Sequence, residues 1–359
     1  MKNQFDIAVI KGDGIGPEIT TPCLELLKQV SDGFELNFVD APAGAATYLE
    51  VGSALPESSL ATARKADAIL LSATGLPSVR YPDGTEIVPQ LDLRFELDLY
   101  AGVRPVMVFP GMPTPLKHER ALDIDFVLIR ESTEGLFASH GKGIVMGGQC
   151  ATETLVLTRE GSRRVSDFSF KLGQTRKTRG IGNGEVTSVD KANIFKAFAF
   201  FRDVFDEVAK DYPELTSNYA YVDAMALRMV KDPWNLDVLV TENMFGDILS
   251  DLGAGLMGGL GMAPSADIGD NHAVFQPCHG SAPDIAGQGK ANPTAMFLSA
   301  AMMLDWLGEK HDCAAAVKGG EAITNAVKAA YATGTLDPIE FGGKDGTQPI
   351  TDAVFNALK

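Results

Sequence analysis

Two aspartates, Asp247 and Asp251, stand four residues apart in the stretch TENMFGDILSDLGAGLMGGLG, which begins at Thr241. Four residues is about one helical turn, so both carboxylates share a face of any helix formed here. Like charges at that spacing cost roughly 0.2–0.5 kcal/mol even in water, and a cation opposite them reverses the sign. Asp223, in YAYVDAMALRMV, ends a short apolar run and opens a helical one, and is the third candidate for the same point. Hard oxygen ligands with no His or Cys nearby select Mg²⁺ or Mn²⁺. A solvated helix face is the alternative reading of the pair, and its apolar, glycine-rich surroundings argue against it.

Three arginines border apolar runs: Arg94 in LDLRFELDLY, Arg104 in AGVRPV and Arg130 in VLIRESTEG. Guanidinium forks bind carboxylates bidentately, and Arg130 ends a strand, where open α/β sheets place ligands. Lys191 lies in TSVDKANIFKAF. Capping by Asp190 or Ser188 predicts Lys191 in the first turn of a helix, where the macrodipole disfavours a cation and so favours a general base. An exposed first-turn lysine is the alternative.

Two glycine-rich segments are candidates for phosphate contact. In KGDGIGPEI, from Lys11 to Ile19, Gly12, Gly14 and Gly16 follow a strand and precede a helix, and Asp40 ends the next strand. The spacing is GxGxGP rather than GxGxxG, and Pro17 lacks an N–H for a phosphate. A phosphate loop and a tight strand-to-helix turn both fit. In QPCHGSAPDIAGQGKANPTA, from Gln276 to Ala295, Gly280, Gly287 and Gly289 let amides approach phosphates. Asp284 can accept hydrogen bonds from a ribose diol and repel a 2′-phosphate.

These residues need elements to position them. FDIAVI, FELNFVD, ADAILLSA, VMVFPG, DFVLIRES and NLDVLVTEN read as strands, while PEITTPCLELLKQV and KANIFKAFAFFRDVFDEVAK read as helices. The 158–183 stretch reads as a helix start followed by an exposed connection, and the last hundred residues as helical with Gly and Pro breaks. This alternation predicts an α/β protein with a largely parallel sheet.

The 359 residues are enough for two domains. A net charge of −16 repels nucleic acid and obliges an anionic metabolite to find a local cationic pocket. The N-terminus lacks the apolar core of a signal peptide, and AMFLSAAMMLDWLG is too short to span a bilayer, so no membrane role is expected. Cys23, Cys150, Cys278 and Cys313 form no CxxC pair, which fits a reducing cytoplasm.

Taken together, KGDGIGPEI, VRP, IRESTEG, SVDKAN, YVDAMA, GDILSDL and HGSAPDIAGQGKANPTA resemble the β-decarboxylating dehydrogenases, in order and spacing and over nearly the whole chain. That family includes isopropylmalate, isocitrate, homoisocitrate, tartrate and D-malate dehydrogenases, and the wording here is most similar to the isopropylmalate enzymes. The resemblance implies a two-domain, mostly parallel α/β fold with a non-Rossmann NAD site. Residues 1–99 plus 258–359 would form the cofactor domain, and 100–257 the substrate, metal and dimerisation domain. It implies that Arg94, Arg104 and Arg130 grip malate-type carboxylates, that Asp223, Asp247 and Asp251 hold Mg²⁺ or Mn²⁺, and that Lys191 and Asp223 act catalytically across a homodimer interface. His279, Gly280, Ser281, Ala282, Pro283, Asp284, Ile285 and Asn292 would bind NAD, Asp284-Ile285 being the NAD-type pair.

Two departures stand out. Phe137 replaces the tyrosine thought to protonate the enol carbon. The substituent-facing residues are Ile87, Gln90 and Leu91, where isopropylmalate enzymes show an acidic residue and two leucines; Val88 and Gln90 replace the Ser and Asn of isocitrate enzymes. A 3-isopropylmalate-like substrate is expected, with tartrate, D-malate or a non-catalytic regulatory role as alternatives.

Overall fold

The structure is a computed structural model describing residues 2–358. Its strands are β1 (Gln4–Ile10), β2 (Glu35–Asp40), β3 (Ala68–Leu71), β4 (Ala101–Met107), β5 (Asp125–Glu131), β6 (Ile144–Met146), β7 (Cys150–Thr152), β8 (Glu185–Asp190), β9 (Thr216–Tyr221), β10 (Val238–Thr241), β11 (Pro264–Ile268) and β12 (Ala273–Pro277). Its α-helices are α1 (Gly16–Val30), α2 (Ala45–Val51), α3 (Glu57–Lys65), α4 (Pro89–Glu96), α5 (Arg159–Thr178), α6 (Lys196–Ala209), α7 (Val222–Lys231), α8 (Asn243–Leu256), α9 (Thr294–His311), α10 (Ala314–Ala332) and α11 (Thr347–Ala357).

Ten strands form one sheet in the order β2-β1-β3-β12-β11-β4-β5-β10-β8-β9. The two flanks, β2-β1-β3-β12 and β5-β10-β8-β9, are parallel. Their central strands AILL and VLVT are buried throughout, as strands covered by helices on both faces must be. Where the flanks meet, β12, β11, β4 and β5 pair antiparallel. The expected α/β class and largely parallel sheet are what the fold has. β6 and β7 form a separate exposed hairpin.

Four local expectations change. The strand expected at VMVFPG starts earlier, at Ala101, and ends at Met107. The 158–183 stretch is a continuous helix to Thr178, because Thr158 caps it and Val165, Phe170 and their neighbours bury one face. The last hundred residues are not all helical: β11 and β12 lie there as a hairpin at the sheet's centre. Lys191 is not in a helix first turn, since the helix starts at Lys196 after an extended Phe195; Asp190 instead caps the preceding turn at Ala192 N.

The glycine segment near the N-terminus is a turn. Asp13 N donates to Ala73 O and Ile15 N to Ser281 O, both at 2.8 Å, so these amides are consumed by the protein. Gly14 has φ +57°, and a Cβ there would lie 2.0 Å from Ser281 O. The Asp13 carboxylate accepts from Ala45 N and Ala46 N, at the start of α2, and from Gly75 N. Helix α9 is apolar on most of its circumference because it is packed between the sheet and α10. Among the described residues no helix is long and apolar enough to cross a membrane.

Candidate active site

Three arginines converge on a cavity of about 480 Å³. Arg94 comes from the last turn of α4, Arg104 from the middle of β4 and Arg130 from the end of β5. None is more than 7 % exposed. The antiparallel centre of the sheet sets their arrangement: Gly102 stands opposite Arg130 on one side and opposite Asp267 on the other. A Cβ at Gly102 would sit 2.6 Å from Ser132 Oγ and 3.2 Å from Asp267 Oδ1, so glycine keeps this row open.

Asp267 is the counter-ion behind the wall. Its Oδ1 accepts from Arg104 Nη2 at 3.0 Å, and its Oδ2 from Arg94 Nη2 at 3.2 Å and Gln276 Nε2 at 2.9 Å. Burial pulls its pKa upward, but Arg104 and Arg94 outweigh that and hold the carboxyl well below the usual range. Burial likewise opposes the charge on Arg104, and Asp267 turns its net shift upward. The Nε of Arg94 is buried without a hydrogen-bond partner among the described residues, a donor that an incoming anion can satisfy.

Arg130 is fixed by α8. Asn243 Oδ1 accepts from its Nε at 2.9 Å and Nη2 at 2.7 Å, and Asp247 pairs with Nη1. Burial, aided by the charge of Arg94, pushes the Arg130 pKa down to about 10, so it stays cationic near neutrality. Helix α8 reaches this close because Gly246 faces the arginine: a Cβ there would lie 2.6 Å from Arg130 Cγ. Glu242 caps the helix by accepting from Met244 N and Phe245 N.

Asp247 and Asp251 do share one face of α8, and both line the cavity. Burial and, after it, the Asp247 charge raise the pKa of Asp251, with Arg130 and Arg104 opposing the shift. An all-oxygen pair of this kind fits a hard divalent cation. Asp223 is elsewhere. It lies in the first turn of α7, exposed, and pairs with Lys191. Neither lines the cavity, and among the described residues no three such ligands cluster within the chain. Exposed apolar side chains surround that corner: Ile194, Phe195, Tyr221, Leu227 and Val230, with Ile248 on the adjoining α8.

At the cavity's other end, Thr74 Oγ1 donates to Gln90 Oε1 at 2.7 Å, beside Glu86, Val88 and Leu91. Ile87 does not reach this cavity. It is 1 % exposed, packs with Ala45 and Ala54, and borders an adjoining cavity of about 390 Å³ with Gly75, Ser281, Ala282 and Pro283. Phe137 lines the main cavity with the Arg130 guanidinium 5.3 Å from its ring centroid, so a cation–π contact stands where a phenol was expected.

His279 and Gly280 join the main cavity to a third, of about 430 Å³, lined by Ile15, Ala282, Ile285, Ala291 and Asn292. Burial lowers the His279 pKa, keeping the ring neutral, and its Nε2 has no partner among the described residues. Glu18 of α1 pins the loop, accepting from Gly287 N at 3.0 Å and Ala291 N at 3.3 Å; Glu340 accepts from Asn292 Nδ2 at 3.2 Å. Asp284 is exposed on this loop. Sequence reasoning missed Asp267, Asn243, Glu18 and Glu340. Asn243 adjoins a singled-out motif, but nothing near Asp267 or Glu340 in the sequence flags them.

Comparison with known proteins agrees with this geometry. The family model described as isocitrate/isopropylmalate dehydrogenase matches residues 6–354. The chain is similar to the 3-isopropylmalate dehydrogenase of Corynebacterium glutamicum, 40% identical over 98% of this chain and 99% of that protein. It is also similar to the 3-isopropylmalate/3-methylmalate dehydrogenase of Methanocaldococcus jannaschii, 40% identical over 98% of each. Among solved structures, the isocitrate dehydrogenase of Methylococcus capsulatus superposes with a TM-score of 0.84 at 34% identity, over 100% of this chain and 99% of that one.

Proposed function

The chain belongs to the isocitrate/isopropylmalate dehydrogenase family, and from that premise we propose that it catalyses the NAD-dependent oxidative decarboxylation of a 3-substituted malate, 3-isopropylmalate or a close analogue. The observation that carries this reading is the single cavity in which three buried arginines face two carboxylates, beside a loop-lined cavity of nucleotide-binding size.

Arg94, Arg104 and Arg130 bind the substrate's two carboxylates and fix the carbon that is oxidised. Asp247 and Asp251, with Asp223 of the partner subunit, would hold Mg²⁺ or Mn²⁺, which supplies Lewis-acid polarisation of the substrate's oxygens. The segment from His279 to Asn292 would hold NAD, the hydride acceptor. Lys191 of the partner subunit stands at the substrate hydroxyl and accepts its proton. The β-carboxylate then leaves as CO₂, and because Phe137 has no proton to give, the enol carbon is protonated from water.

The homodimer in this reading is supported by the separation of Lys191 and Asp223 from the cavity and by the apolar side chains exposed around them. In the same reading, residues 1–99 with 258–359 carry the cofactor, and 100–257 carry substrate, metal and the dimer contact. The enzyme is cytoplasmic, consistent with its four unpaired cysteines. A second reading, a small or hydroxylated substituent as in D-malate or tartrate, is favoured by one observation: the Thr74–Gln90 pair and Glu86 make the far end of the cavity polar.

The test is a panel of malates with Mn²⁺ and NAD, following NADH and CO₂ together. Equal yields of both from one 3-substituted malate are expected. Substrate binding with no NADH from any of them would instead identify a regulatory homologue. NADP preferred over NAD in the native protein would overturn the assignment of Asp284.

A further inference from the structure

Asp267 takes part in none of these steps, yet it is 2 % exposed directly behind the cavity and binds two of its three arginines. A buried ion pair of this kind is expensive unless every partner is satisfied. Here Gln276 Nε2 adds a third hydrogen bond to the carboxylate, and Gln276 and Ser265, on the strands β12 and β11, themselves line the cavity.

Resting on the functional reading above, we propose that Asp267 is a positioning residue that sets the substrate class: it clamps Arg94 and Arg104 side by side and fixes the cavity's charge for dicarboxylates against tricarboxylates. The charges at the site show why. Arg94, Arg104 and Arg130 are balanced by Asp247, Asp251 and Asp267, while Glu86 at the rim is neutralised by Arg80 at 2.9 Å. With the partner subunit's Lys191 and Asp223 counted as a neutral ion pair, a divalent cation on the two α8 carboxylates therefore leaves the site two positive charges, which a dianion cancels. A trianion leaves one negative charge without a partner beside the buried arginine wall, where solvent screens it less than at an open surface. Without Asp267 the site would hold one more positive charge, and Arg94 would be released to turn toward a third carboxylate, while Arg104 would keep its Nη1 bond to Ala266 O at 2.7 Å.

Calorimetric titration of the intact protein at saturating Mg²⁺, with glutarate and with tricarballylate, tests this directly. The two ligands differ by one carboxylate and lack a hydroxyl, so neither is turned over. The wild type is expected to bind glutarate roughly tenfold or more tightly than tricarballylate, and Asp267→Asn to shrink that ratio roughly tenfold. Asp267→Ser is expected to do the same, and thermal melts establish that each variant is folded. If Asp267 only held the fold together, both affinities would fall in parallel, and an unchanged ratio overturns the proposal. A wild type that binds tricarballylate as well as glutarate, or binds neither, overturns it without any variant. Failure of every malate to yield NADH would reject the functional reading alone, because the binding ratio does not depend on turnover.

Discussion

The arginine wall and the Lys191–Asp223 corner use the same kinds of charge under opposite conditions. In the wall, Arg94, Arg104 and Arg130 are almost fully buried, and each is held by a named partner: Asp267 for the first two, Asn243 and Asp247 for the third. At the corner, Asp223 has a side chain 68% exposed, with Lys191 as its ion-pair partner. The Lys191 ammonium holds the Asp223 carboxyl below its ordinary pKa, but solvent screens such a pair heavily. The difference teaches that one chain by itself brings the cationic wall and the α8 carboxylates together but leaves Lys191 and Asp223 outside that cavity; in the function proposed above, a second copy would supply them.

The largest test of that contrast is complementation. Lys191→Ala and Asp247→Asn are each expected to lower kcat by roughly 10²–10³-fold. Heterodimers of the two variants would contain one intact site, so random mixing should restore about a quarter of the wild-type rate. No recovery would break the comparison by placing both residues in the same chain's site.

Asp305 sharpens the contrast from another part of the fold. It is half-buried in α9, one of its oxygens has no hydrogen-bond partner among the described residues, and burial pushes its pKa up to about 6. A carboxyl whose folded pKa exceeds its unfolded value is most favourable at low pH and becomes a cost as pH rises through 6. Asp305→Asn is therefore expected to stabilise by roughly 2–3 kcal/mol at pH 8 and to be near neutral at pH 4. Denaturant unfolding at both values measures it; Asp267, buried but paired, should show no such gain.

Gly246→Ala comes next. Alanine is favoured over glycine by about 1 kcal/mol inside a helix, whereas overpacking costs about 1–3 kcal/mol. The clash with Cβ and Cγ of Arg130 should win, with a loss of about 1–2 kcal/mol and a raised KM at little change in kcat. A stabilised variant with normal KM would mean that α8 does not fix Arg130. The smallest effect on stability belongs to Asp223→Asn, which should leave the melting temperature of the protein unmoved although turnover is lost. A large drop in stability would make the corner a structural pair.

Much of this was legible in the sequence because it rests on local periodicity. Apolar runs gave most of the parallel strands, and the four-residue spacing of Asp247 and Asp251 gave their shared helix face. Other features were not legible. β11 and β12 are five residues each and flanked by helical signals, so the hairpin at the sheet's centre, and Asp267 on it, went unseen. The helix after Lys191 began later than its capping residues predicted, because Asp190 caps a turn there and grips Arg202.

The sequence by itself determined which chemical groups this protein owns and which neighbours along the chain share a face, because helix and strand geometry depends only on nearby residues. Only the tertiary structure decided which charges meet. Arg94 and Asp267 are 173 residues apart, yet one salt bridge joins them. Their pairing depends on sheet order and on the glycines, Gly102 and Gly246, that let strands and helix close in. Burial then turned charges that would be weak in water into a fixed cationic wall.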